Sequence, residues 1–289
     1  TWLQQLLRPG SWQEVKKLHK PAAVKQGRLK NHEGRIVESS ERAETFARHL
    51  ETIQWTVRPC TAVAEEAPLF EELPVSNHDI TEEEISAVLK QLHLKKAAGH
   101  DGLSPEFWKV CANSDKILKW ITKLCNMIFR NKDIPTDWHK AKVACLYKKG
   151  DPGMPENYRP VSLLPVGYKM FSSVLLQRLK NAGAESRVME TQYGFKSGAG
   201  TRDAIFIVRR MLDQCALGCD QHVIFLALDW AKAFDSVDPR CLAQALIRFG
   251  IPKAFADIVS AIYSNRSFFV ADNKCSSELH KQDFGISQG

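Results

Sequence analysis

Apolar residues along this chain recur in two rhythms, and the switch between them marks out its elements. Residues 222–238 read HVIFLALDWAKAFDSVD. Within them 223–228 are an unbroken apolar run, long enough for a strand buried on both faces and too short for a helix. Asp229 follows, a carboxylate carried to the end of that strand, and the next turn holds Lys232, Phe234 and Asp235. Asp238-Pro239 then opens a helix, acid at the N-cap and proline in the first turn, with Leu242, Ala245, Leu246 and Phe249 on one face and Gly250 closing it. A second helix is predicted from about 252 to 263, and 268–271 with 279–284 as a pair of strands. Upstream, Thr81 and Glu84 have the spacing of a capping box, and Ile80 and Ile85 that of a hydrophobic staple. Ile85, Val88, Leu89 and Leu92 continue that helix face. Ile117, Leu118, Ile121, Leu124, Cys125 and Ile128 repeat at helical spacing and are expected in the core, with Pro135 past the stop.

Other stretches fill in the order. Residues 39–50 suit a short helix built on Ala43, Phe46, Ala47 and Leu50, and 60–78, acidic and broken by Pro68 and Pro74, read as an exposed linker. Gly99 and Gly102 flank His100-Asp101 in a tight loop, a turn aspartate rather than an acid–base pair, and Ser104-Pro105 caps the helix that follows. Residues 141–147 suit a strand, 148–153 a basic turn and 168–179 an amphipathic helix. Ala204, Ile205, Val208, Met211 and Leu212 are expected to face inward from a further helix.

Composition narrows the classes. At 289 residues and 44% hydrophobic content the chain can fill one large or two ordinary domains. No apolar run approaches the ~20 residues of a membrane span, and the first residues do not read as a signal peptide. Both ends look cut, so the chain is expected to be a piece of something longer. Net charge is +7, from 40 basic and 33 acidic residues. Residues 61–90 alone hold eight acids and one base, which leaves +14 on the remainder. That balance suits a polyanionic partner. The eight cysteines are scattered through apolar segments and read as reduced, buried thiols of an intracellular protein. Cys215 and Cys219, with His222 nearby, are the one pair with near-metal spacing, and no second pair follows.

Five blocks in order carry a family resemblance: KKAAGHDGLSPEFWK (95–109), PTDWHKAKVACLYKKGDP with NYRPVSLLPVGYKMFSSVLLQRL (135–179), TQYGFKSG with TRDA (191–204), the 222–238 string, and the closing GISQG. Together they resemble the reverse transcriptases of non-LTR (LINE-type) retrotransposons. The resemblance implies an α+β right-hand polymerase fold, with helical fingers and the first part of a small antiparallel palm sheet. It divides the chain into a connector and acidic linker (1–78), fingers (79–217) and an incomplete palm (218–289). Function would be RNA-directed DNA synthesis by two-metal nucleotidyl transfer, with Mg²⁺ or Mn²⁺ as cofactor. The partners would be an RNA template, a DNA primer and deoxynucleoside triphosphates, with no membrane, and further domains covalently linked at both ends. A eukaryotic element would place it in the nucleus.

Residue roles come with the same resemblance. Asp229 would bind the catalytic metal, the Trp230 carbonyl being a candidate second ligand. Lys148 or Lys149 and Arg159 would reach the nucleotide's phosphates, where a mobile ammonium and a forked guanidinium neutralise charge without proton loss. Phe234, five residues after Asp229, would exclude a ribose 2′-hydroxyl, and Gln288 would position nucleotide and template. Asp235 is expected to be structural. The family's Asp-Asp pair occurs nowhere in the sequence, and one carboxylate cannot hold two magnesium ions, so residues 1–289 alone are not expected to polymerise. A non-catalytic nucleic-acid-binding remnant and a group II intron-type maturase are the rival readings. A small-molecule enzyme would need a phosphate-cradling glycine loop or a nucleophile motif, and neither is present.

Overall fold

The computed structural model describes residues 28–59, 68–217 and 224–287. Two apolar clusters organise them, one around a small sheet and one among helices.

The sheet is built from β1 (Lys140–Tyr147), β2 (Tyr158–Leu163), β3 (Ser267–Asp272) and the short β4 (Cys275–Ser276) and β5 (His280–Lys281). Its order is β2-β1-β3-β4, with β5 also on β3. β1 and β2 form an antiparallel hairpin pairing Lys142 with Leu163 and Tyr147 with Tyr158. β1 and β3 run parallel, Lys140 opposite Ser267 and Val143 opposite Val270. The sheet is therefore mixed, where an antiparallel one was expected. Several helices separate β1 from β3, and a long crossover lets two strands run the same way as no tight turn can. Helix α1 (Arg42–His49), continued by a π-helical turn (Leu50–Gln54), packs Ala43, Phe46, Ala47 and Leu50 against Val143, Tyr158, Phe268 and Val270. Arg42 donates from Nε to Asp272 at 2.7 Å, a pair shielded from solvent at the sheet's far end.

The second cluster collects α2 (Glu82–Gln91), α3 (Pro105–Cys111), α4 (Asp115–Asn131), α5 (Val166–Asn181) and, beyond α6 (Thr201–Leu217) and α7 (Pro239–Arg248), α8 (Lys253–Tyr263). The local signals behave as their chemistry dictates. Thr81 Oγ accepts from Glu84 N and Glu84 Oε2 accepts from Thr81 N, completing the capping box, with Ile80 and Ile85 both buried. Ser104 caps α3 and Asp238 caps α7. Glu84 also ties two helices together. Buried Arg178 of α5 donates to it from Nε and Nη2 at 2.7 and 2.8 Å, and to the carbonyls of His78 and Asp79. Gly99 sits where any Cβ would lie 2.6 Å from the Pro165 nitrogen, so the loop closes on the start of α5 only with glycine there.

Several expectations need correction. Residues 224–228 form no strand and lie exposed, with Ile224 at 96% and Leu228 at 82%. A strand apolar on both faces needs neighbours to pair its backbone and cover both sides, and no described strand borders this run. Helix α6 forms as predicted, but Ile205, Met211 and Leu212 face solvent. In α4, Ile117 and Leu124 are more than two-fifths exposed, since only a narrower stripe of Leu118, Ile121, Cys125 and Ile128 reaches the core. Within the supposed linker, Leu73 and Val75 are buried. Their segment supplies backbone donors to carbonyls left free at the end of α7, Leu69 N to Arg248 O and Leu73 N to Gly250 O. Cys241 is disulfide-bonded rather than reduced, and of the five free cysteines among the described residues only Cys111 and Cys125 are buried. Burial pushes the Cys125 thiol up to about 12. Cys219 and His222 lie outside the described residues. No helix among the described residues is long and apolar enough to cross a membrane.

Candidate functional site

The β1–β2 hairpin presents the basic turn. Tyr158, Pro160 and Ser162 point to the core, so the alternate position Arg159 points to solvent opposite exposed Leu146. Lys148 N donates to Asn157 O at 2.8 Å, extending the ladder one step and bringing Lys148 and Lys149 to the mouth of the same hairpin. All three cations are exposed, and none is ion-paired among the described residues.

The turn that carries them is tied down from several sides. Tyr147 Oη donates to Gly150 O at 2.6 Å, Asn157 Nδ2 to Asp151 O at 2.9 Å, and Tyr158 Oη to Pro152 O at 2.7 Å. Gly150 has φ +93° and leaves no room for a Cβ beside the Asn157 amide. A further tie comes from the chain's first described residues. Lys30 N donates to Gly153 O at 2.7 Å, and Lys30 Nζ donates to Asp151 Oδ2 at 3.1 Å. The Gly153 amide, first among its causes, and Lys30 hold the Asp151 carboxyl below its usual range. Nothing in the sequence pointed to Lys30.

The second half of the site follows the exposed run. Asp229 and Trp230 are exposed, Trp230 at 85%. Asp229 makes no hydrogen bond or ion pair among the described residues. Asp235, six residues on, is 3% exposed and accepts from Trp55 Nε1 at 2.8 Å and Gln54 Nε2 at 3.0 Å. It is structural as expected, and these two donors come from the end of the π-helical turn that continues α1. The Phe234 ring is 39% exposed and packs edge-on against Phe195 with centroids 6.2 Å apart.

Two backbone bonds join this turn to the end of the described chain: Ile286 N to Phe234 O at 2.8 Å and Gly285 N to Val237 O at 2.9 Å. Gly285 has φ +74°, and a Cβ there would lie 3.0 Å from Asp235 Cα, so the first glycine of the closing block is needed for close approach. Buried Arg266 anchors it by donating from Nη2 to Gly285 O at 2.8 Å while stacking on Tyr263. Gln288 lies outside the described residues. The structure thus gathers Lys148, Lys149 and Arg159 on one hairpin, and Phe234 with the segment leading to Gln288 on one braced turn.

A metal fits this donor set poorly. Among the described residues no three His, Cys, Asp or Glu side chains come together to hold an ion. Asp229 with the Trp230 carbonyl falls short of the several oxygens a hard divalent cation needs in exchange for its waters.

Comparison with known proteins agrees with the sequence pattern. Residues 146–289 match the family model described as reverse transcriptase (RNA-dependent DNA polymerase). The probable RNA-directed DNA polymerase from transposon BS of Drosophila melanogaster is 28% identical over 258 residues, covering 86% of this chain and 28% of its own length. The RNA-directed DNA polymerase from mobile element jockey of the same species is 28% identical, covering 95% of this chain and 30% of its own. The transposon TX1 uncharacterized 149 kDa protein of Xenopus laevis is 30% identical over 67% of this chain and 14% of its own. The chain spans less than a third of the length of these relatives.

Proposed function

The chain belongs, over residues 146–289, to the reverse transcriptase family, and from that premise we propose that it carries the nucleotide-binding fingers and the opening part of the palm of a non-LTR RNA-directed DNA polymerase. The observation that carries this reading is the braced hairpin, which holds two lysines and an arginine exposed and without counter-ions among the described residues. A triphosphate is the ligand such a group suits. Ammonium and guanidinium both stay charged through the reaction, and a fixed turn lowers the entropy lost on binding. Phe234, braced from behind and partly exposed, is the candidate for testing the sugar's 2′ position. Gln288, two residues past the segment bonded to that turn, is the candidate contact to nucleotide and template.

Asp229 is the candidate carboxylate for a magnesium or manganese ion. The described residues do not complete that site, and no chemical step is assigned through it. The template RNA, the DNA primer and the whole polymerase activity belong to the longer protein that this reading implies.

Two experiments test the reading. Binding of a fluorescent deoxynucleoside triphosphate to the 289-residue chain is expected to weaken about ten- to a hundredfold in K148A/K149A/R159A, the scale of losing charged hydrogen bonds. Unchanged affinity would remove the hairpin from the site. Primer extension on an RNA template with Mg²⁺ or Mn²⁺ is expected to give no product from residues 1–289, because a single candidate carboxylate cannot hold a metal pair. Template-dependent synthesis by this chain would overturn that part.

A further inference from the structure

Helix α4 has a second face with no part in the core. Its inner stripe is buried, and the opposite side presents Lys116, Lys119, Trp120, Lys123 and Met127 at the i, i+3, i+4 spacing of one helical strip. Trp120 is 66% exposed and Met127 53%. Lys123 Nζ lies 5.8 Å from the centre of the Trp120 ring, and the three lysines and this ring line a shallow concavity of about 190 Å³. None of these lysines is ion-paired among the described residues, whereas Arg130 at the end of the strip is held by Asp79.

This arrangement is unfavourable for the free helix. Lysines three and four apart repel one another, and the usual remedy is an acid one turn away. The only acid within α4 is Asp115, at its first residue. A tryptophan kept in water also forgoes the burial that makes it the most valuable of side chains in a core or interface. A solvated face needs lysines but no ring among them.

We propose that this face of α4 binds single-stranded nucleic acid, an unpaired base stacking on Trp120 while Lys116, Lys119 and Lys123 neutralise the phosphates on either side. Stacking accepts any unpaired base, and lysines track a backbone without reading sequence, so the contact is sequence-tolerant and salt-sensitive. Lys116 to Lys123 spans about 10 Å along the helix, a reach of a few nucleotides. The strip precedes residues 146–289, the stretch that the family model matches, and it shares no residue with the hairpin. An acidic polypeptide would satisfy the charges but leave the ring unused.

The test is carried out in the K148A/K149A/R159A background, so that hairpin binding does not contribute. Fluorescence anisotropy of labelled U20 RNA is measured against salt, with far-UV circular dichroism confirming that each variant is folded. Replacing the three lysines by alanine is expected to lower the slope of log K against log salt by about 2, at ~0.7 per neutralised phosphate of a single strand. Trp120→Ala is expected to weaken binding about tenfold with the slope unchanged, and Trp120→Phe to restore most of it. A 4-thiouridine oligonucleotide is expected to crosslink within residues 115–131. Unchanged slope and affinity in these variants, or crosslinks confined to other segments, would overturn the proposal. So would tight binding of a duplex that ignores Trp120, or equal displacement by polyglutamate from wild type and Trp120→Ala, which would mark the face as a site for acidic protein.

Discussion

Asp229 and Asp235 sit six residues apart in one turn and meet opposite environments. Asp229 is exposed and has no partner among the described residues; Asp235 is sealed under Trp55 and Gln54, accepting a hydrogen bond from each. Removing a buried acceptor strands its donors, whereas removing an exposed side chain changes little. Asp235→Ala is expected to lower unfolding free energy by about 3 kcal/mol, and Asp229→Ala to leave it within about 0.5 kcal/mol, read from urea denaturation. Equal effects would mean that the turn is not built as described. Sequence alone marked Asp235 as structural but could not supply its partners, because Trp55 lies 180 positions away.

Elements here are joined by a few polar clasps, and one of them responds to pH. His280 of β5, only 11% exposed in its side chain, donates to Glu51 at 2.7 Å and to Glu44 of α1 at 3.3 Å. Arg48 also pairs with Glu44, and Lys281 N donates to Glu51. Burial works against the imidazolium, but the bonds to Glu51 and Glu44 outweigh it, and the pKa is raised above the ordinary 6.5. A group with a raised folded pKa stabilises fully below its unfolded value and loses that contribution as pH climbs through the folded one. Thermal unfolding midpoints are therefore expected to fall as pH rises from about 6.5 through the raised folded value, and His280→Gln to flatten that part of the profile. A profile identical in the variant would assign the pH dependence elsewhere.

At the scale of the whole molecule, the two clusters meet along the sheet and α5, where Tyr168 touches both. The run 224–228 and the apolar residues of α6 stand outside them. Core and exposed apolar residues should then differ sharply when truncated. Phe268 of β3 is fully buried, with the Trp55 ring edge-on to its own, and Phe268→Ala is expected to destabilise by about 3–5 kcal/mol. Leu226→Ser with Leu228→Ser is expected to leave the unfolding midpoint unchanged and to improve solubility by removing an exposed apolar patch. A large loss of stability from the leucine pair would show that the run is packed after all.

The sequence by itself determined whatever is settled within one or two turns of chain. The capping box at Thr81, the caps at Ser104 and Asp238, the helical repeat of α4 and the basic turn after β1 all follow from residues a few positions apart. The ordered blocks also sufficed to point to the family. Tertiary structure decided the rest: the parallel pairing of β1 with β3, the burial of Leu73 and Val75 against α7, the clasp of Lys30 on the basic turn, and the exposure of 224–228. Hydrophobicity states what a segment gains by being covered, and only the packed chain supplies, or withholds, the surface that covers it.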